Sequence, residues 1–183
     1  MSDSAPLRAF LALDIGAAAR QRVVDLMDRL RGDLAGVRWV RPEGIHLTLR
    51  FLGWTQDAPA TRIAQALEAP ARACAPAPVP LRGLGLFPER GSPRVLWLGM
   101  ELPEGMHALQ RACEEAARRE GFEPEERAFT PHLTLGRWKD RARRPELPAV
   151  DLGSAQIDRL TLYRSELRPQ GAVYTALRRF ELG

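Results

Sequence analysis

The sequence predicts an α+β protein built as two similar lobes, each of strand–helix–strand character. Two observations carry this prediction. Short apolar runs of strand length alternate with amphipathic helical stretches along the whole chain. The tetrapeptide His-Leu-Thr-Leu also occurs twice, at His46–Leu49 and at His132–Leu135, 86 residues apart. A strand precedes each copy by about 37 residues, near Ala9 and near Val95, with a helix between strand and motif in both cases. Repetition of that kind reads as an internal duplication. Residues 1–183 would then form one bilobal domain, a length that buries a sizeable core without disulfides.

The elements follow in order. Arg8 to Leu13 is an apolar run of strand length. Val23, Met27, Leu30 and Leu34 then recur every three or four residues among Arg and Asp, which predicts a helix packed by one face and stopped at Gly36. Val37 to Val40 and Ile45 to Leu52 are strands around a turn at Pro42. A helix from about Ala58 to Ala69 should end at Pro70. Ala75 to Pro80 carries three prolines in six residues and reads as a stiff connector outside the core. Leu81 to Phe87 and Val95 to Leu102 are strands joined by a turn. The next helix starts near Pro103, buries Met106, Leu109, Cys113 and Ala116 or Ala117, and stops at Gly121. Strands at His132 to Arg137, Ile157 to Ser165 and Val173 to Phe180 complete the chain, with a basic loop at Lys139 to Pro148.

Composition narrows the function classes. Lys and Arg outnumber Asp and Glu by 27 to 23, and the pI is about 9.8, a mild bias towards anionic partners. Cys74 and Cys113 lack metal-ligand or redox spacing and read as buried free thiols, as in a reducing cytosol. No apolar run approaches the ~20 residues that span a bilayer, and Met1 to Pro6 has no signal-peptide core. A cytoplasmic protein, monomeric by default, is expected.

Two of the three histidines lie in the repeated tetrapeptides. Side chains alternate along a strand, so His46 and Thr48 share one face while Leu47 and Leu49 take the other. The same holds for His132 and Thr134. Pseudo-symmetric lobes would bring both pairs to one central cleft. Two imidazoles there suit acid–base chemistry near neutral pH, and each threonine offers a hydroxyl to an anionic oxygen. For one lone motif a half-buried structural histidine is the better reading; two copies on a repeated scaffold reverse that balance. Two histidines without Cys, Asp or Glu nearby make a poor zinc set, so no metal is expected. His107, beside a helix stripe, is given no catalytic role.

The paired tetrapeptides resemble the HxTx motifs of the two-histidine phosphoesterases. Arg8–Asp14, Trp39–Gly53, Pro93–Gly99, Thr130–Arg137 and Leu162–Leu167 are similar to the RNA 2',3'-cyclic phosphodiesterase branch, historically called 2'-5' RNA ligases. The resemblance implies two pseudo-symmetric lobes of antiparallel sheet, with outer helices, around a central cleft. It implies hydrolysis of an RNA terminal 2',3'-cyclic phosphate to a 2'-phosphate, without metal or cofactor, on RNA ends, tRNA fragments or cyclic nucleotides. His46 and His132 would be the acid–base pair, with Thr48 and Thr134 on the phosphate oxygens. The resemblance also makes Phe51 a stacking platform for the terminal base and Arg137 a phosphate ligand. Strict alternation points both away from the His/Thr face; they reach the cleft only where the strand ends or twists. The run Arg137 to Arg144 reads equally as an RNA guide or a solvated loop. Ligation by the same residues, and RNA-end binding without catalysis, are the competing functions.

Overall fold

The computed structural model describes residues 5–169 and 171–183; most of the polar N-terminal stretch lies outside them. Among the described residues, nine strands and four α-helices follow in the order β1 (Leu7–Leu13), α1 (Gly16–Leu30), β2 (Val37–Trp39), β3 (Leu47–Thr55), α2 (Asp57–Ala66), α3 (Glu68–Ala73), β4 (Ala77–Phe87), β5 (Val95–Met100), α4 (Glu104–Arg119), β6 (His132–Trp138), β7 (Asp151–Ile157), β8 (Arg159–Arg168) and β9 (Gly171–Glu181). They form two antiparallel sheets, one of order β3-β1-β8-β9 and one of order β2-β6-β5-β4-β7. This is the two-lobed α+β architecture that the alternating pattern predicts. In each sheet a motif strand lies beside the strand that precedes it: β3 on β1, β6 on β5.

One face of each sheet joins a shared apolar core. Leu7, Ala9, Leu11 and Leu13 of β1 enter it with Leu47 and Leu49 of β3, Leu133 and Leu135 of β6, and the helix stripes Val23–Met27–Leu30 and Met106–Leu109–Cys113. Both thiols are buried and free. The helices cross between lobes. Arg22 of α1 donates to the carbonyls of Leu152 (3.0 Å) and Ser154 (2.6 Å) in β7, and α4 packs on β3. There Arg50, 7% exposed, pairs with Glu114 at 2.9 Å and donates to the Glu123 carbonyl. Removing one partner of a buried ion pair leaves the other charge uncompensated. Arg50→Met is therefore expected to cost about 3–5 kcal/mol of unfolding free energy in urea titration. The Arg50→Met/Glu114→Met double variant should recover most of it.

Three elements differ from the sequence reading. Pro70 does not end a helix; it stands in the first turn of α3, where its missing N–H has no intrahelical partner to lose. The proline-rich segment is not a connector: Pro78, Val79 and Pro80 belong to β4, opposite Gln156, Ala155 and Ser154 of β7. The Pro80 carbonyl accepts from Glu101 N–H at 3.1 Å on the side away from β7. The absent N–H groups of Pro78 and Pro80 point the same way, so the ladder to β7 loses nothing. Finally, the strand expected at Ile157 to Ser165 is two strands in different sheets, β7 and β8, separated only by Asp158. β7 escapes notice because Asp-Leu-Gly-Ser-Ala-Gln lacks a regular apolar alternation.

Candidate active site

His46 immediately precedes β3 and His132 opens β6, and these two strands approach each other directly. In both, the motif leucines are buried while His46, Thr48, His132 and Thr134 are half-buried on the face away from the core. The two strands share an irregularity that sequence alone does not reveal. Against β1, Phe10 lies opposite Phe51, Leu11 opposite Arg50 and Ala12 opposite Thr48, so Leu49 has no partner. Against β5, Leu96 lies opposite Gly136 and Trp97 opposite Thr134, so Leu135 has no partner. Each is a β-bulge three residues after the motif histidine. An extra residue shifts the alternation by one. Leu49 and Arg50 are both buried, as are Leu135 and Gly136, and Phe51 and Arg137 emerge exposed on the His/Thr side. The bulges thus answer the parity objection to Phe51 and Arg137 with one device used twice. Gly136 also admits β2: a Cβ there would lie 2.4 Å from Val37 Cγ1. β2 brings Arg38 directly opposite Arg137.

The histidines have different surroundings. His132 Nδ1 is 2.7 Å from the Thr130 carbonyl oxygen. In the neutral ring this fixes Nδ1–H as donor and leaves the Nε2 lone pair free. Phe87 meets its ring edge-on at 5.1 Å and Trp97 lies at 6.0 Å. His46 stacks on Phe10 at 4.8 Å, with Tyr174 edge-on at 5.2 Å and Tyr163 at 6.0 Å. Behind it, Asp14 accepts from Tyr163 OH (2.6 Å) and Thr161 Oγ1 (2.8 Å). Burial holds the His46 pKa down to about 4; Asp14 opposes this and Arg20 adds to it. Burial lowers His132 as well, opposed by the Thr130 carbonyl and aided by Arg137. Burial, then the Asp14 bond and charge, push Tyr163 up to about 12. Burial also raises Tyr174, while Arg137 from the other sheet and Arg8 pull it back. Arg137 is therefore felt across the cleft, at a tyrosine touching His46.

Sequence reasoning gave no role to Phe10, Asp14, Tyr163, Tyr174, Phe87 or Trp97. Phe10, Asp14, Trp97 and Tyr163 sit inside the Arg8–Asp14, Pro93–Gly99 and Leu162–Leu167 stretches, which was the available signal. His107, on α4, faces Phe129 at 6.0 Å. The basic run is tethered rather than free. Arg144 donates to the Pro88 carbonyl at 3.0 Å and to that of Glu89, and Ser92 exchanges hydrogen bonds with Ala142. Among the described residues, no three His, Cys, Asp or Glu side chains are grouped as a metal site needs, and no helix is long and apolar enough to cross a membrane.

Both the sequence and the fold match known proteins. The family model of the 2'-5' RNA ligase superfamily matches residues 17–168. An RNA 2',3'-cyclic phosphodiesterase of Methanothermobacter thermautotrophicus is 38% identical, over 96% of this chain and 99% of that protein. Another, from Thermus thermophilus, is 36% identical over 96% and 90%. The crystal structure of a Thermus thermophilus protein superposes with a TM-score of 0.85 at 32% identity, covering 96% of this chain and 98% of that one. LigT of E. coli, crystallised with 3'-AMP, gives 0.85 at 27% identity over 97% and 99%. With the paired histidine strands, the two-sheet fold and a family match over most of its length, the chain belongs to the 2'-5' RNA ligase superfamily.

Proposed function

We propose that the protein is an RNA 2',3'-cyclic phosphodiesterase that leaves a 2'-phosphate and uses no metal. The observation that carries this reading is the repetition of one device: a bulged strand presenting His and Thr, with Phe51 or Arg137 beyond the bulge, twice around one cleft. The same reading takes residues 1–183 as one bilobal domain with an internal duplication.

His132, with Nδ1–H committed to Thr130, offers Nε2 as general base to the attacking water. Water oxygen bonds to phosphorus, the P–O3' bond breaks, and His46 protonates the departing O3'. Thr48 and Thr134 donate to the non-bridging oxygens as their charge grows. Arg137 binds phosphate, and Phe51 stacks the terminal base. Both imidazoles lie against aromatic rings rather than carboxylates, which suits proton transfer better than metal ligation.

The test is incubation of purified protein, in EDTA, with an oligoribonucleotide ending in a 2',3'-cyclic phosphate. A 2'-phosphate end formed at full rate is expected. Activity lost in EDTA and restored by zinc or manganese would point to metal catalysis instead.

The pH dependence follows from the surroundings of the pair. The kcat/KM profile reports the free enzyme. The base works neutral, and His132 is lowered, so the acid limb lies below the ordinary value near 6.5. The acid works protonated, and His46 near 4 sheds its proton early, so the alkaline limb also begins below 6.5. A bell centred below pH 6.5 is expected for kcat/KM. A bound phosphate anion favours imidazolium, so the kcat profile should lie at higher pH. Coincident profiles centred above pH 7 would contradict this account.

A further inference from the structure

The cleft face of the first sheet continues past Phe51. A second irregularity follows, where Ala9 pairs with Gly53 and Phe10 with Phe51, leaving Leu52 unpartnered. Leu52 is buried with the core, and Trp54, opposite Arg8, returns to the side of Phe51. Without the extra residue Trp54 would point away from Phe51. Two bulges in one strand thus set Phe51 and Trp54 on one face, roughly 7 Å apart along it. Phe51 is 53% exposed and Trp54 70%. Exposed large aromatics on a sheet face are costly in water and mark a binding surface.

Beside Trp54 runs an open groove of about 420 Å³, lined by Arg8, Ser165 and Leu167 among others. Leu167 is 72% exposed. Ser165 is only 6% exposed, and its hydroxyl has no hydrogen-bond partner. Arg8 carries no ion pair among the described residues, and its charge reaches Tyr174 beside His46. Glu166, also in the lining, is held by Arg164 (3.3 Å) and Arg168 (2.9 Å), so its charge is countered. The groove therefore combines an aromatic face, a cation without an ion pair among the described residues and an unpaired hydroxyl, on the sheet face that also carries Phe51. That is the chemistry of a single-stranded nucleic-acid site: base on ring, phosphate on guanidinium.

We infer that Trp54, Arg8 and Ser165 form a second nucleotide subsite, which stacks the base 5' to the cyclic-phosphate terminus and holds the phosphate joining the two nucleotides. The inference rests on the cyclic phosphodiesterase reading for the direction of the strand. Its consequence is a preference for oligonucleotides over mononucleotides, set outside the reacting centre. Trp54 serves binding alone.

The experiment compares a mononucleotide 2',3'-cyclic phosphate with dinucleotides bearing the same end, the penultimate base either present or abasic. Trp54→Ala should raise KM for the intact dinucleotide by roughly 5- to 150-fold, the contribution of one stacked base. The mononucleotide and the abasic dinucleotide should be unaffected, and Trp54→Phe should keep most of the affinity. Equal effects on all substrates, or none, would overturn the subsite. Tryptophan fluorescence of the His132→Ala variant supplies a reading independent of turnover. The intact dinucleotide should quench it more than the mononucleotide does, and Trp54→Phe should abolish the difference. If the wild-type protein hydrolyses neither substrate, the phosphodiesterase reading fails while the fluorescence titration still decides the subsite: equal quenching by both ligands rejects it.

Discussion

Replacing either His46 or His132 with alanine is expected to lower kcat by about 10²–10⁴-fold, the usual contribution of one positioned acid or base. The fold should survive. Both rings are only half-buried, neither lies in the shared core, and the strands are held by Leu47, Leu49, Leu133 and Leu135 behind them. Circular dichroism and urea titration should match the parent protein. The double variant should lose little more than either single one, because the two proton transfers serve one displacement and their effects do not add. The two variants should also separate the roles. The variant lacking the base loses the acid limb of the kcat/KM profile, and the variant lacking the acid loses the alkaline limb. If His132→Ala removes the alkaline limb, the assignment is reversed. Near-normal turnover by either variant would reject the two-histidine mechanism outright.

Thr48→Val and Thr134→Val should each lower kcat by about 10²–10³-fold, the effect of removing one donor from a developing oxyanion. Valine matches threonine in shape, so packing against the strand is preserved and only the hydroxyl is lost. The threonines lie two residues beyond each histidine on the same face, opposite Ala12 and Trp97. From there each can meet a phosphate oxygen while its neighbouring imidazole meets the attacking or the departing oxygen. Thr→Ser at either position should restore most of the rate. Should the valine variants raise KM and spare kcat, the hydroxyls bind ground state and transition state alike, and the oxyanion role is wrong.

Much of the molecule was legible in one dimension. The alternation that buries Leu47 and Leu49 and turns Thr48 outward is a property of any extended chain, so the motif faces follow from sequence alone. The stripes Val23–Met27–Leu30 and Met106–Leu109–Cys113 likewise predicted their helices and their buried sides, because 3.6-residue periodicity is local. The proline segment and β7 failed for the converse reason. Pro78 and Pro80 are compatible with β4 only because no strand needs their N–H groups, and β7 is a strand because β4 offers it a ladder. Partners fixed those elements, and partners are not written beside the residues they hold.

The site divides along the same line. The sequence by itself determined the residues on which the proposed chemistry rests: two identical His-x-Thr pairs on apolar strands, in a chain with one other histidine, and the antiparallel two-lobed family they resemble. Tertiary structure decided which further residues share their face. A bulge is an irregularity between two strands, so the turn of Phe51, Arg137 and then Trp54 towards the cleft depends on β1 and β5, far away in sequence. It also decided the proton affinities. Phe10, Tyr163 and Tyr174 come from three strands to desolvate His46, and the Thr130 carbonyl selects the tautomer of His132. Alternation is a property of one strand; register and burial are properties of the assembly, and only folding supplies them.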